Sequence, residues 1–472
     1  MHTTRRIAVL TAAALLSSCS SNSSVPQLQT SDAAATAGTA TTGTTATAAN
    51  LRQSLSVVSA DKETGATTPA TITQVAAGEV NAGPGYSDVS PHQIVRTSRN
   101  VVYIAVPACI SYPTCFGNSL KMQAGNKAGN PTSFSEQDAA HHPQTSASER
   151  DAIGTSAMAI DGNDVIWVGY NTRNDGTIAI SFDTKTNLWG RSFRMGTTSA
   201  GGGWVTQGKE GVGMAVEENG KPHIVFSFIG TDKQKHIATA QTQGSAWSNP
   251  VQIDDTKLGT GQGALHPTVA YTPKNVMLVA WLVGDENVQY NNPDGTIHVR
   301  AITSLTNSPA SVEIPDTNYQ GQKGYAATVI DQGPSVLVTA DGVAHVSYID
   351  TTDAIRYWSS NGTNYTSWNG SHQPAHQLTH DPSLGPDGSG GLYIYGHGTP
   401  QGGQNGHGNN LYRMRLPSGS STWGAFEEQI VDNNLDCSVS TRWSQFYDYF
   451  PSQIDYTYWN DEYPNEEYET NH

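Results

Sequence analysis

Residues 333–360 read GPSVLVTADGVAHVSYIDTTDAIRYWSS. A β-rich run, VLVT, meets the turn Ala340-Asp341-Gly342, and a second run, AHVSYI, leads away from it. A third begins at Ile355. Short runs of β-formers broken by Gly and Asn turns are hairpin signals. Working outward, runs matching the third begin at Leu120, Ile178, Ile237, Ile297, Ile355 and Leu411, in steps of 58, 59, 60, 58 and 56. One further step reaches Tyr468. The turn followed by an apolar run also recurs. It appears in SRNVVYIAV from Ser98, DGNDVIWVGY from Asp161, ENGKPHIVFSF from Glu218, PKNVMLVAWL from Pro273 and PDGSGGLYIY from Pro386, and SQIDYTYW from Ser452 follows. A third marker places an aromatic after small residues at Phe134, Trp189, Trp247, Trp368 and Trp423. These rings are expected to pack between repeats.

A period of this length built from strands is the mark of a β-propeller or related array. The expectation is an all-β, seven-bladed β-propeller of four-stranded antiparallel blades over residues 66–472, preceded by a signal peptide and a disordered tether. The last repeat ends at its third strand. The strand-like residues Ile72 to Val75 in TPATITQVAAGEV are therefore expected to supply the missing outer strand and close the ring.

The chain has 472 residues, long enough for a sizeable core, but only 14% are charged. Its net charge is −16, and −18 once Arg5 and Arg6 leave with residues 1–18. Such an acidic surface argues against tracking a nucleic-acid backbone, which depends on Lys and Arg. It also argues against adhesion to anionic headgroups.

Arg5 and Arg6 precede the apolar run IAVLTAAALL, which is too short to span a bilayer as a mature helix. Leu16-Ser17-Ser18-Cys19 follows and resembles the lipobox of bacterial lipoproteins. The resemblance implies removal of residues 1–18, a lipid on Cys19 and a place in the cell envelope. Ser20 suits outer-membrane sorting if the cell is Gram-negative. The alternative is an ordinary secretory signal with an incidental Cys. Residues 19–65, rich in Ser, Thr and Ala, cannot repay their ordering entropy and read as a tether. The r.m.s. reach of that tether is about 35–40 Å. The membrane is expected to be met only through the lipid.

Cys109 and Cys115 in PACISYPTCF read as a small disulfide loop in an exported protein, and Cys437 as a buried thiol. No paired His or Cys spacing suggests a metal site there. Asp161-Gly162-Asn163-Asp164 resembles a fragment of a calcium loop, lacks the remaining ligands, and reads as a hairpin turn. No cofactor is expected, with structural calcium the one alternative, and the protein is expected to be a monomer.

In a four-stranded blade the first-to-second and third-to-fourth connections share one face. Here they are tight turns. The other connections are long, and long loops on a rigid scaffold carry binding or chemistry. They hold Trp204, expected to stack on a sugar ring, and Tyr325, a second ligand-binding candidate. Each innermost strand should start at the channel mouth on that face. Those starts include Ser90-Pro91-His92, Gly154-Thr155-Ser156, His266-Pro267-Thr268, Gly333-Pro334-Ser335, His380-Asp381-Pro382 and Thr441-Arg442. His266, His380 and Arg442 are the catalytic candidates, and His92 and Asp381 are ligand-binding candidates. Arg442 suits a carboxylate through its bidentate fork, and a neighbouring His suits a general base. The alternative is that inner-ring polar residues hold waters and neighbouring strands.

The pattern P-S, D-G, H-V-x-Y, I-R-Y and W within residues 333–360 is similar to the repeats of sialidase-like (BNR-type) propellers. The likeness covers residues 85–472. It implies a propeller of a superfamily that includes sialidases, other glycosidases, polysaccharide lyases and lectins. The family's Asp box has no intact copy, and neither an arginine triad nor a Tyr/Glu pair can be assigned. The expected function is an exported, lipid-anchored propeller that recognises a glycan or polysaccharide through its long-loop face. If it is an enzyme, it is a glycoside hydrolase or polysaccharide lyase. The alternative class is a non-catalytic surface scaffold or adhesion module that binds protein.

Overall fold

The computed structural model describes residues 73–76, 92–109, 118–139, 152–172, 176–195, 211–255, 257–285, 295–305, 308–314, 333–349, 355–370, 378–398, 410–430, 439–460 and 465–471. The segments 1–18 and 19–65, Cys19, Cys437 and Cys115, the expected partner of Cys109, lie outside them.

Strand β1 (Thr73–Ala76) precedes the first blade: β2 (Ile94–Arg96), β3 (Val102–Cys109), β4 (Asn118–Gly125) and β5 (Phe134–Gln137). The second blade is β6 (Ala152–Ile160), β7 (Val165–Thr172), β8 (Gly176–Asp183), β9 (Leu188–Trp189) and β10 (Phe193–Arg194). The third is β11 (Val212–Val216), β12 (Pro222–Ile229), β13 (Lys235–Gln243), β14 (Ala246–Trp247) and β15 (Val251–Gln252). The fourth is β16 (Gln262–Tyr271), β17 (Met277–Asp285), β18 (Thr296–Ile302) and β19 (Val312–Glu313). The fifth is β20 (Ser335–Val338), β21 (Ala344–Ile349), β22 (Ile355–Asn361) and β23 (Asn364–Gly370). The sixth is β24 (Leu378–Pro386), β25 (Leu392–Gly398), β26 (Asn410–Leu416) and β27 (Phe426–Ile430). The chain ends with β28 (Val439–Thr441), β29 (Ile454–Asn460) and β30 (Asn465–Asn471). The regularly spaced apolar runs of the sequence all fall in third strands.

Six blades share one local device. The backbone N–H of Thr97, Asp161, Glu217, Thr272, Thr339 and Asp387 donates to the carbonyl four residues on, closing the first hairpin of each blade. The residue before that carbonyl has positive φ: Asn100, Asp164, Gly220, Asn275, Gly342 and Gly390. Gly adopts this conformation without penalty, and Asn and Asp tolerate it best among the rest. Side chains reinforce the turns. Asp161 accepts from the N–H of Asn163 and Val165 at 2.8 and 3.1 Å, and Asp387 from those of Ser389 and Gly391 at 2.8 and 2.7 Å. The Asp161 carboxylate is thus occupied in holding a hairpin.

The last sheet is different, and it corrects the expectation of seven like four-stranded blades. Six blades are each built from one continuous run of chain, and two of them carry a fifth strand because their outer edge is split in two. The remaining sheet is composite, in the order β1-β30-β29-β28, and draws on both ends of the chain. Thr73 pairs with Tyr468 and Gln74 with Glu467. It lacks the shared hairpin, since residues 442–453 separate its first two strands.

Strand β12 is buried almost throughout, without alternation. That follows from covering both sheet faces with neighbouring blades. Apolar side chains of adjacent blades merge into common cores. One joins Tyr103, Met122, Val168, Phe182, Met214 and Phe226, and another joins Leu282, Val299, Val346 and Trp358. The recurrent Trp residues pack as expected. Trp247 meets Trp167 of the preceding blade edge-on at 6.0 Å, and Trp423 meets Tyr357 at 5.0 Å. Strand β29 packs on β2, completing the ring at the junction of its two ends.

Candidate functional site

Residues 442–453 run as a strap across one mouth of the central channel. They touch hairpin turns of several blades. The Tyr447 hydroxyl donates to the Glu218 carbonyl at 2.7 Å. A Cβ on Gly162 would stand 2.8 Å from Tyr447 Cε1, and one on Gly388 would stand 2.9 Å from Ser452 Cα. Phe446 packs on Tyr271 at 6.2 Å, and Trp443 on the His92 ring at 5.9 Å. Blades one, two, three, four and six therefore all meet the strap, which must cross the axis on the face that carries the tight hairpins.

Arg442 anchors it. This side chain is buried, and its guanidinium pairs with Asp448 and, through Nε at 2.6 Å, with Asp455. Its Nη2 donates to the carbonyls of Phe450, at 2.7 Å, and Gln453. Burial opposes the Arg442 charge, yet Asp448 and Asp455 outweigh it and raise the pKa above the usual arginine value. Asp455 also accepts both arms of Arg96, at 2.9 Å from Nε and 2.5 Å from Nη2. Two guanidiniums and two carboxylates thus form a neutral, buried relay joining blade one, the composite sheet and the strap. This fork is committed to partners in the protein, whereas carboxylate recognition would need it free.

The other inner-strand candidates cluster where three inner strands are irregular. The ladders shift register between Ile153 and Ala157, between Leu265 and Thr268, and between Thr379 and Ser383. His266 occupies the second of these with φ of 50°, is 5% exposed, and accepts from the Gly211 N–H at 3.3 Å through Nδ1. A Cβ on Gly333 would stand 2.5 Å from its Cβ, so blade five closes on it from the other side. His380 and Asp381 lie at the third irregularity, in β24. The neighbouring hydroxyls tie blades together. Ser156 donates to the Ala105 carbonyl and Thr441 to the Leu384 carbonyl, both at 2.6 Å, and Ser335 accepts from the Leu384 N–H at 3.0 Å. Trp204 and Tyr325, with most of the long connections that should flank these positions, lie outside the described residues.

His92 is 4% exposed, and Nδ1 faces the Thr441 carbonyl at 3.3 Å. Burial pushes its pKa down to about 4, against the smaller opposing pull of the Thr441 and Val336 carbonyls. The imidazole is neutral at ordinary pH. His236, at the start of β13, has the opposite balance: Asp254 holds Nδ1 at 2.7 Å and Asp232 holds Nε2 at 3.0 Å. The bond to Asp254 leads in pushing its pKa up to about 9, with burial opposing. Among the described residues no three His, Cys, Asp or Glu side chains converge as a metal site.

No protein-family model and no curated protein matches this sequence. Solved structures do. The BP39L lectin from Burkholderia pseudomallei superposes with a TM-score of 0.50 at 12% identity, over 84% of this chain and 93% of the lectin. The chain has a β-propeller fold. An ulvan lyase, described as a new family of polysaccharide lyase, gives a TM-score of 0.49 at 11% identity, over 84% of this chain and 98% of its own. The polysaccharide lyase Uly1 gives 0.47 at 9% identity, over 89% and 94%. At these identities the likeness is one of fold.

The strap is the feature that sequence reasoning missed. Its signal is present: where six repeats place a Gly or Asn hairpin, the seventh carries WSQFYDYF from Trp443 to Phe450.

Proposed function

We propose that this protein is a propeller that recognises glycans at the channel mouth opposite the strap. The observation that carries the reading is the strap itself. By occupying one mouth it leaves ligand access to the other, where three inner strands are irregular. The fold it shares with a lectin supports a sugar as the ligand. Arg442, the arginine expected to meet a substrate carboxylate, belongs to the strap, and its fork is held by Asp448 and Asp455, so it does not serve the open mouth. A lyase acting on uronates needs such a group to neutralise the carboxylate of its substrate. His266 and His380 are the positions to substitute if cleavage is found. We further propose a lipid on Cys19 with residues 19–65 as spacer, placing the propeller off a bacterial envelope membrane as a monomer.

The test is retention of the full-length protein, in detergent, on a panel of neutral and uronate-bearing polysaccharides. Unsaturated-uronate absorbance and new reducing ends are followed in parallel. Retention with neither product is the expected result. New ends without unsaturation would make it a hydrolase, and both products together a lyase. No retention on any polymer overturns the reading and favours a protein-binding scaffold.

A further inference from the structure

On the face opposite the strap, the turn between β12 and β13 is tied to the connection that leads from blade three to blade four. His236, at the start of β13, is the knot. Its Nε2 lies 3.0 and 3.2 Å from the two oxygens of Asp232 in the turn. Its Nδ1 lies 2.7 Å from Asp254 Oδ2 in the connection. A carboxylate oxygen can only accept, so both ring nitrogens carry protons and the imidazole is a cation. Gln252 Nε2, 3.1 Å from Nδ1, is itself a donor, and it has the Asp254 carbonyl to turn to at 3.4 Å. A second tie runs alongside. Gln234, in the same turn, donates to the Gly259 carbonyl at 2.6 Å, and Gln262 accepts from the Gly259 N–H at 2.8 Å. The connection then enters β16, the strand that holds His266.

The two carboxylates are unequal. The Asp254 side chain is fully buried, and its other oxygen accepts from the Ile237 N–H at 2.8 Å. Asp232 is half-exposed. The other charged groups beside the knot are Lys233 and Lys235 on the hairpin, Asp255 and Lys257 on the connection, and Arg300 on β18, which donates to the Ile253 carbonyl at 2.5 Å. Strands β12, β15 and β16 contribute the uncharged neighbours Phe228, Gln252 and Gln262.

We propose that His236 is a proton-dependent latch: while both ring nitrogens hold protons the turn 230–234 is fastened and Gln234 grips the connection, and loss of the Nε2 proton frees both. A neutral ring has one N–H for two carboxylates. The buried Asp254 keeps it, because solvent cannot take over that carboxylate. The exposed Asp232 is then left facing a lone pair, and water hydrates it instead. The bond to Asp254 leads in keeping the ring charged up to about pH 9, so the latch is closed below that pH and opens as pH rises through it. It stands whether or not the open mouth binds a glycan, because every part of it lies within the protein.

The test is trypsin cleavage of the full-length protein in detergent between about pH 7 and about pH 10, followed by mass spectrometry. Rates after Lys233, in the turn, and Lys257, in the connection, are each divided by the rate for the matching free peptide at the same pH. Lys274, in the blade-four hairpin, reports general unfolding. Relative to Lys274, cleavage at both reporter sites should rise about tenfold across the window. A rise at neither site, at Lys233 alone, or only in step with Lys274 overturns the proposal. Two variants separate the proton from the packing. His236→Gln should be cleaved at both sites from the lowest pH, with no further rise. Asp232→Asn sits on the exposed turn, and its amide accepts from a protonated Nε2 or donates to a bare one. It should keep both sites protected throughout, and an Asn variant that opens like the parent would also overturn the proposal.

Discussion

At the scale of single residues, the same side-chain chemistry serves the ring before it can serve a ligand. Arg442 has the fork that recognises carboxylates, and it uses that fork on Asp448 and Asp455. Removing one member of a buried pair strands the other, at a cost of about 3–5 kcal/mol. Arg442→Ala should therefore lose stability in that range in urea titration, and a variant as stable as the parent would contradict the ionic tie. His236 gives a pH signature of definite sign. Its folded pKa, about 9, lies above the unfolded value of 6.5. The folded state thus holds the extra proton between those values, and stability must fall as pH rises. The contribution is whole below pH 6.5 and lost through pH 9. The melting temperature should drop across this window, and His236→Gln should flatten that part of the profile. An unchanged slope in the variant would assign the effect elsewhere. The residue types at the channel rim were legible in the sequence, but their roles were not. His92 meets Thr441 across 349 positions and His266 meets Gly211 across 55, contacts that no local pattern announces, while Arg442 finds its partners within the strap and at Asp455 just beyond it.

At the scale of elements, hairpins and strap show two levels of legibility. The turns at Thr97, Asp161, Glu217, Thr272, Thr339 and Asp387 are local. Each needs one residue of positive φ and a short polar side chain, and the sequence displays both. The strap is not local. Tyr447 meets Glu218 across 229 positions, and no spacing rule announces such a contact. Strand β1 lies between these extremes. Its strand character and the missing partner of the last repeat were both visible, and the structure pairs Thr73 with Tyr468. Deleting residues 66–80 should leave β30 as an open edge with unpaired backbone groups. The melting temperature should fall, whereas an unchanged value would show that β1 adds nothing to closure.

At the scale of the whole molecule, the period of the sequence determined the all-β class and the propeller architecture. Repeated strands with a common spacing cannot bury their faces alone and must stack on one another. The run PHIVFSFI is buried almost throughout because neighbouring blades cover both faces of its strand. Local turn chemistry determined the hairpins of six blades. Tertiary structure alone decided how the repeats differ. It made the final sheet composite, sent residues 442–453 across one mouth of the channel, and turned Arg442 into an anchor for that crossing. The physical reason is range: hydrophobic period and turn preference are written within a few residues, while burial, ion pairing and cavity shape arise only where distant segments meet.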